Sequence, residues 1–152
     1  YDEAKIKFEE ALSVMNGSDL AEEVKDNNRR FNIYNMGRIA LMTGNISEAK
    51  MHADKFLAGA EEKNNTFQIW LAHSLNGMIA LQEKDYKKAI SEFEKSSQQN
   101  PQTFYYLALA YAGDGNTAEA KRFADKCANF NPLININQAF VRNKAKEMST
   151  TL

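Results

Sequence analysis

The sequence predicts an all-α chain in which antiparallel helix pairs stack as a solenoid, and three observations predict it. A short turn-plus-helix motif recurs along the chain. A small residue recurs at a fixed distance before each internal copy. Helix breakers are scarce, with two prolines and seven glycines in 152 residues.

The recurring motif reads Thr43-Gly44-Asn45-Ile46-Ser47-Glu48-Ala49, then Glu83-Lys84-Asp85-Tyr86-Lys87-Lys88-Ala89, then Asp114-Gly115-Asn116-Thr117-Ala118-Glu119-Ala120, with an opening copy at Tyr1-Asp2-Glu3-Ala4. In each internal copy a turn residue precedes Asn or Asp, a natural helix cap, and the helix that follows carries Ala on its inner face. The four alanines lie 45, 40 and 31 residues apart, scattered around the roughly 34 to 45 residues of paired-helix repeats. Gly37, Gly77 and Ala108 each stand seven residues ahead of their turn. Glycine costs roughly 1 kcal/mol inside a helix, so two glycines in one phase imply a close helix crossing.

Taken in order, residues 1–12 read as the second helix of a pair whose first helix is missing, with Ala4, Phe8, Ala11 and Leu12 at helical spacing and Ile6 nearby. Ser13 to Ser18, containing Asn16-Gly17, reads as a turn. Asp19-x-x-Glu22 has the form of a capping box opening a long helix through Leu20, Val24, Phe31, Tyr34 and Ile39 to about Met42. A second long helix runs from about Ile46 to Glu62 and stops before Lys63-Asn64-Asn65. At the far end Ile136, Phe140, Val141, Ala145 and Met148 fall on one helical face, with Gln138, Arg142, Lys144 and Lys146 elsewhere. That pattern predicts a capping helix over 135–149, because the last repeat of a solenoid has no neighbour to bury it.

These residues resemble the tetratricopeptide repeat family, whose pattern is an aromatic, Leu-Gly-x-x-Tyr, Ala-x-x-x-Phe and Pro. Here the copies are Phe104, Leu107-Ala108-x-x-Tyr111, Ala120-x-x-x-Ala124 and Pro132; His73, Asn76-Gly77-x-x-Ala80, Ala89-x-x-x-Phe93 and Pro101; and Ile33, Met36-Gly37-x-x-Ala40 and Ala49-x-x-x-Ala53. Ala4-x-x-x-Phe8 supplies an opening half-copy. The resemblance spans about residues 1–132. It implies a right-handed α-solenoid of about three and a half repeats in a single domain over 1–152. The half repeat takes 1–17, the repeats 19–63, 65–101 and 102–132, and the capping helix 135–149. Large aromatics of the family pattern are replaced in several copies by small or polar residues, which bears on helix angles.

Function is constrained mostly by what is missing. Nineteen Lys and Arg against twenty Asp and Glu leave a formal net charge of −1, without the basic excess of a nucleic-acid binder. No apolar run approaches the ~20 residues needed to span a bilayer. A single cysteine, Cys127, excludes an internal disulfide and reads as a buried small hydrophobe at the slot matched by Ala11 and Ser96. Tyr1 opens directly onto helix-like sequence with neither an initiator Met nor a signal-peptide pattern, which suggests a piece of something longer.

His52 and His73 lack the neighbours that metal ligation needs; His73 reads as a packed histidine in an aromatic slot and His52 as a surface residue. Acid pairs such as Glu9-Glu10 and Glu61-Glu62 point apart around their helices. No phosphate-cradling glycine loop or nucleophile elbow is visible. The expectation is therefore no enzyme, no metal and no cofactor, but a scaffold or adaptor module that binds a protein or peptide. A peptide-responsive regulatory domain is the alternative, and an all-helical enzyme a third reading.

If first helices line a concave groove, as the resemblance implies, its candidate residues are Phe31, Tyr34, Arg38 and Met42, then Leu71, Ser74, Met78 and Gln82, then Gln102, Tyr105 and Leu109. Aromatics, methionines and one arginine suit capture of a polypeptide segment. The carboxylate clamp of some family members is not expected: Tyr34, Ser74 and Tyr105 occupy its Lys slot, and Arg38, Met78 and Leu109 its Asn slot. The open first helix further predicts a homodimer through residues 1–15.

Overall fold

A computed structural model describes residues 1–130 and 136–152. Its elements are α1 (Asp2–Asn16), α2 (Glu22–Met42), α3 (Ile46–Glu62), α4 (Thr66–Gln82), α5 (Tyr86–Lys95), α6 (Pro101–Gly113), α7 (Thr117–Ala128) and α8 (Ile136–Thr151), with no strand among the described residues. Contacts divide the chain into two compact units, Tyr1–Leu75 and Asn76–Leu152. In the first, α1 packs on α2 and α2 on α3; in the second, α5 packs on α6, α6 on α7, α7 on α8, and α6 also on α8. Within each unit, helices that are neighbours in sequence pack on one another. The closing Pro132 of the last copy and Asn135 of the capping segment lie outside the described residues.

One turn geometry punctuates the chain. Gly44, Asn64, Lys84 and Gly115 all adopt positive φ, at 80°, 50°, 61° and 83°. In each case the next residue's N–H donates to a carbonyl five residues back: Asn45 to Ala40, Asn65 to Ala60, Asp85 to Ala80 and Asn116 to Tyr111. That next residue then caps the following helix. Asn45, Asp85 and Asn116 accept from the N–H groups of Glu48, Lys88 and Glu119, and Asn65 Oδ1 accepts from Gln68 at 3.1 Å. The turn at 63–65 is thus a fourth internal copy, although it lacks the alanine seen in the others.

The inner-face alanines are fully buried at 49, 89 and 120. The glycines ahead of their turns are needed for space. A Cβ on Gly77 would sit 2.6 Å from the Phe93 ring, and one on Gly37 would sit 3.0 Å from both His52 Cβ and Leu75 Cδ2. In the second unit Phe93, Phe104, Leu107, Ala108, Ala124 and Cys127 form a continuous core with Val141 and Ala145 of α8. In the first, Tyr34, Leu41, Ala53, Phe56 and Leu75 are buried, together with Gln68. Gln68 is held by Arg30 Nε, which donates to its Oε1 at 2.9 Å, and it donates in turn to Asn27 Oδ1 at 3.0 Å.

Four expectations are corrected. The Asp19 capping box does not form: α2 begins at Glu22 after Ala21, without a side-chain cap. The segment before it is tied instead by Ser18, whose hydroxyl donates to the Met15 carbonyl. The first helix continues to Asn16, through most of the expected turn. His52 is no surface residue, because its Cβ packs on Gly37 and its Nδ1 is buried. Finally, α8 turns Val141, Ala145 and Met148 inward as expected, but not the apolar residues of its first turn and a half. Ile136 and Phe140 are 74% and 62% exposed, while Gln138 is buried with Val141 and Ala145. Gln138 Nε2 donates to the carbonyls of Cys127 and Phe130, two acceptors at the end of α7, so amide chemistry sets the inward face there.

Candidate binding cleft

The residues expected to line a groove fall in both units. Of those in the second, Met78 and Tyr105 pack against its buried cluster, Leu109 is half-buried and Gln82 exposed. Burial raises the Tyr105 phenol above its ordinary range, with the Cys127 sulfur and the Glu147 carboxylate acting in the same direction. In the first unit Tyr34 is a core residue, 9% exposed, with its ring 5.1 Å from that of Phe56. Tyr34 is thus taken up by helix packing, and Tyr105 is so in part. Ser74 is half-buried.

Phe31, Arg38 and Met42 behave differently. They open onto a cleft between α1 and α2. One cavity of about 200 Å³ is lined by Phe8, Ala11, Leu12 and Met15 of α1 and by Asn28, Phe31, Asn32 and Asn35 of α2. A second, of about 250 Å³, is lined by Tyr1, Ala4 and Phe8 facing Asn35, Arg38, Ile39 and Met42. Phe8 and Asn35 belong to both, so the two form one trough along antiparallel walls. Antiparallel pairing is fixed at the other end, where Arg29 Nε donates to Asn16 Oδ1 at 3.1 Å and Lys25 Nζ to the Asn16 carbonyl at 3.2 Å.

The trough is chemically mixed. The α1 wall is apolar, and α1 buries none of its residues. The α2 wall carries three amides at helical spacing, Asn28, Asn32 and Asn35. Asn28 Nδ2 is spent on the Val24 carbonyl at 2.8 Å. Asn32 Oδ1 is buried with no hydrogen-bond partner among the described residues. An unsatisfied buried acceptor costs about 1 to 3 kcal/mol, and this oxygen, like His52 Nδ1 and Gln138 Oε1, has no exposed surface. Arg38 is the one charged residue lining the trough. Its guanidinium carbon lies 5.8 Å from the Tyr34 ring centroid. The amides escaped sequence reading because asparagines on a charged helix look like solvated surface; their i, i+4, i+7 spacing was the available signal.

A larger cavity of about 600 Å³ lies near the start of α2, among Glu22, Glu23, Asp26, Arg30 and Lys63. Its charges are of both signs, and Arg30 is committed to the buried Gln68. No group of three or more His, Cys, Asp or Glu that could hold a metal occurs among the described residues. Cys127 is fully buried and its thiol is pushed up to about 11 by that burial, far from the range of a nucleophile. No described helix is long and apolar enough to cross a membrane. No family model matches the chain, nor does any curated protein or solved structure.

Proposed function

We propose that this chain is a protein-binding module that holds a polypeptide segment in the cleft between α1 and α2. The mixed lining of that trough carries the reading: Phe8, Ala11 and Leu12 of α1 face Phe31, the three asparagines and Arg38 of α2. An apolar wall facing amides and one arginine suits a segment that offers apolar side chains, a hydrogen-bond donor and a carboxylate or carbonyl group. The resemblance of the repeated motifs to tetratricopeptide repeats supports the same class, since stacked helix pairs of that kind are read as binding scaffolds.

The test fills the trough without touching the core. Ala11 is exposed on α1 and lines the first cavity, and Trp at this position occupies it. Partners captured by the native chain should be lost from Ala11→Trp while helicity and melting temperature hold. An identical set of captured partners would move the site away from this cleft.

A further inference from the structure

We propose that Asn16 is a site at which the chain modifies itself. Its side-chain amide closes onto the Gly17 backbone nitrogen and reopens with water as aspartate or isoaspartate, while Arg29 holds the amide oxygen. The proposal does not depend on the binding role above.

The chemistry needs only the chain and water. The Gly17 nitrogen bonds to Asn16 Cγ, the Cγ–Nδ2 bond breaks, and ammonia leaves with the proton that the nitrogen gives up. Water then adds to either carbonyl of the cyclic imide. One product is an ordinary aspartate; the other carries the main chain through the side-chain carbon. Either way a neutral amide becomes a carboxylate, which takes the formal net charge of −1 one unit further negative. Glycine favours the ring closure because no side chain crowds the attacking nitrogen.

The sequence holds this pair twice, as Asn16-Gly17 and Asn76-Gly77, and the structure separates them. Asn76-Gly77 lies inside α4, where Gly77 is buried and a Cβ on it would meet the Phe93 ring at 2.6 Å. Turning that backbone toward a side chain breaks the helix at a packed crossing. Asn16 is the last residue of α1, and both it and Gly17 are exposed. Rotation about its Cα–C bond gives up only bonds of the turn. Gly17 N–H leaves the Ser13 carbonyl at 3.1 Å, Ser18 N–H and Oγ leave the Met15 carbonyl, and the Asn16 carbonyl leaves Lys25 Nζ at 3.2 Å. Residues 17–21 lie between the two helices and take up the movement.

Arg29 makes the first pair more than an exposed one. Its Nε donates to Asn16 Oδ1 at 3.1 Å, while its Nη1 donates to Glu22 Oε1 and Asp26 Oδ1, both at 2.6 Å. The guanidinium is thereby fixed in front of the oxygen on which negative charge develops as the Gly17 nitrogen adds to Cγ. A donor set in place beforehand at that position lowers the barrier. The bond is made by the side chain, outside the backbone angle that has to change. In the aspartate product the same N–H meets a carboxylate, and charge-assisted bonds are roughly twice as strong as neutral ones. That product ties α1 to α2 more firmly than the asparagine does.

Peptide mapping of the folded 152-residue chain after incubation at neutral pH and body temperature tests this. The peptide containing residues 16–17 should gain the mass of an amide turned acid and accept methyl groups from an isoaspartate methyltransferase. The peptide containing 76–77 should stay unchanged in the folded chain and convert in urea, where no helix holds it. Gly17→Ala, whose Cβ would meet only the Ser13 and Val14 carbonyls at 3.7 and 3.8 Å, should slow Asn16 severalfold without disturbing the fold. Arg29→Lys keeps a cation beside Glu22 and Asp26 but not the fixed guanidinium edge, and it should slow Asn16 as well. An Asn16 that stays intact in the folded chain overturns the proposal. So does an Asn76 that converts equally fast there, or that stays intact even in urea. A rate unchanged by Arg29→Lys overturns the part given to Arg29.

Discussion

Phe8 and Phe93 occupy the same place in the same Ala-x-x-x-Phe pattern and have opposite fates. Phe93 is fully buried, stacked 5.3 Å from the Tyr106 ring and seated over Gly77. Phe8 is 38% exposed at the divide between two cavities. Their helices differ in the same way: α5 opens on a capping Asp85, whereas α1 has no side-chain cap and packs, among the described residues, on α2 alone. A repeat motif therefore specifies which side chain faces inward, while neighbouring helices decide whether anything is there to receive it.

Two substitutions at the matched position should separate these contributions most widely. Phe93→Ala should cost about 3 to 5 kcal/mol of unfolding free energy, because it leaves a cavity in a close-packed cluster. Phe8→Ala should cost less than about 1 kcal/mol, as much of that ring already meets water. Urea melts of the two variants check this, and equal losses would mean that α1 is as well packed as α5. The neighbouring alanine gives the next effect. Ala89→Leu should overpack the crossing and cost about 1 to 3 kcal/mol, whereas Ala4→Leu, at the half-buried matching position, should cost little. Retained thermal stability in Ala89→Leu would place the inner face of α5 elsewhere.

How far the sequence foretold this depends on which physical signal each residue carries. The internal turns were legible because Gly or a capping Asn or Asp marks both the positive φ and the helix start. The copy at Lys63-Asn64-Asn65 shows only as a helix end in the sequence. Its left-handed residue is Asn64, which tolerates that conformation without advertising it. The inward alanines were legible from their joint phase. The α8 face was legible only for Val141, Ala145 and Met148; apolar periodicity also favoured Ile136 and Phe140, whereas the bonds at the start of the helix run from Gln138 to two backbone carbonyls. Phe31, Arg38 and Met42, expected on a groove along successive first helices, line a cleft between α1 and α2 instead. The amide row carries no apolar signal, and of the two groove tyrosines Tyr34 is buried and Tyr105 partly so.

Cysteine chemistry sharpens the same contrast between matched slots. Cys127 in α7 corresponds to Ala11 in α1. With its thiol raised to about 11 by burial, Cys127 should react with a disulfide reagent at pH 8 more than about a hundredfold more slowly than a thiol installed by Ala11→Cys in a Cys127→Ala background. The sign for stability follows from the raised value. The folded state holds the proton where the unfolded thiol, near 8.5, has lost it. Stability from this group is therefore complete below about pH 8.5 and declines as pH rises toward 11. Fast labelling of native Cys127 at pH 8 would show that α7 opens as readily as α1.

The smallest expected effect concerns a feature common to both units rather than one that divides them. The left-handed turn residue is Gly44 or Asn64 in one and Lys84 or Gly115 in the other. A side chain in that conformation costs roughly 1 to 2 kcal/mol through the clash of Cβ with the following carbonyl, and Asn bears it more easily than Lys. Glycine removes the clash but adds about 0.4 to 1 kcal/mol of unfolded-chain entropy. Lys84→Gly should therefore stabilise the chain by about 0.5 kcal/mol, and Asn64→Gly should change it by less. Gly115→Ala, which forces a Cβ into φ +83 with open space around it, should destabilise by about 1 kcal/mol through backbone strain alone. Thermal melts under one buffer order the three. If Lys84→Gly is neutral or destabilising, contacts of the Lys84 side chain outweigh its backbone strain, and the turn is then held by side chains as well as by the shared bond from Asp85 N–H to the Ala80 carbonyl.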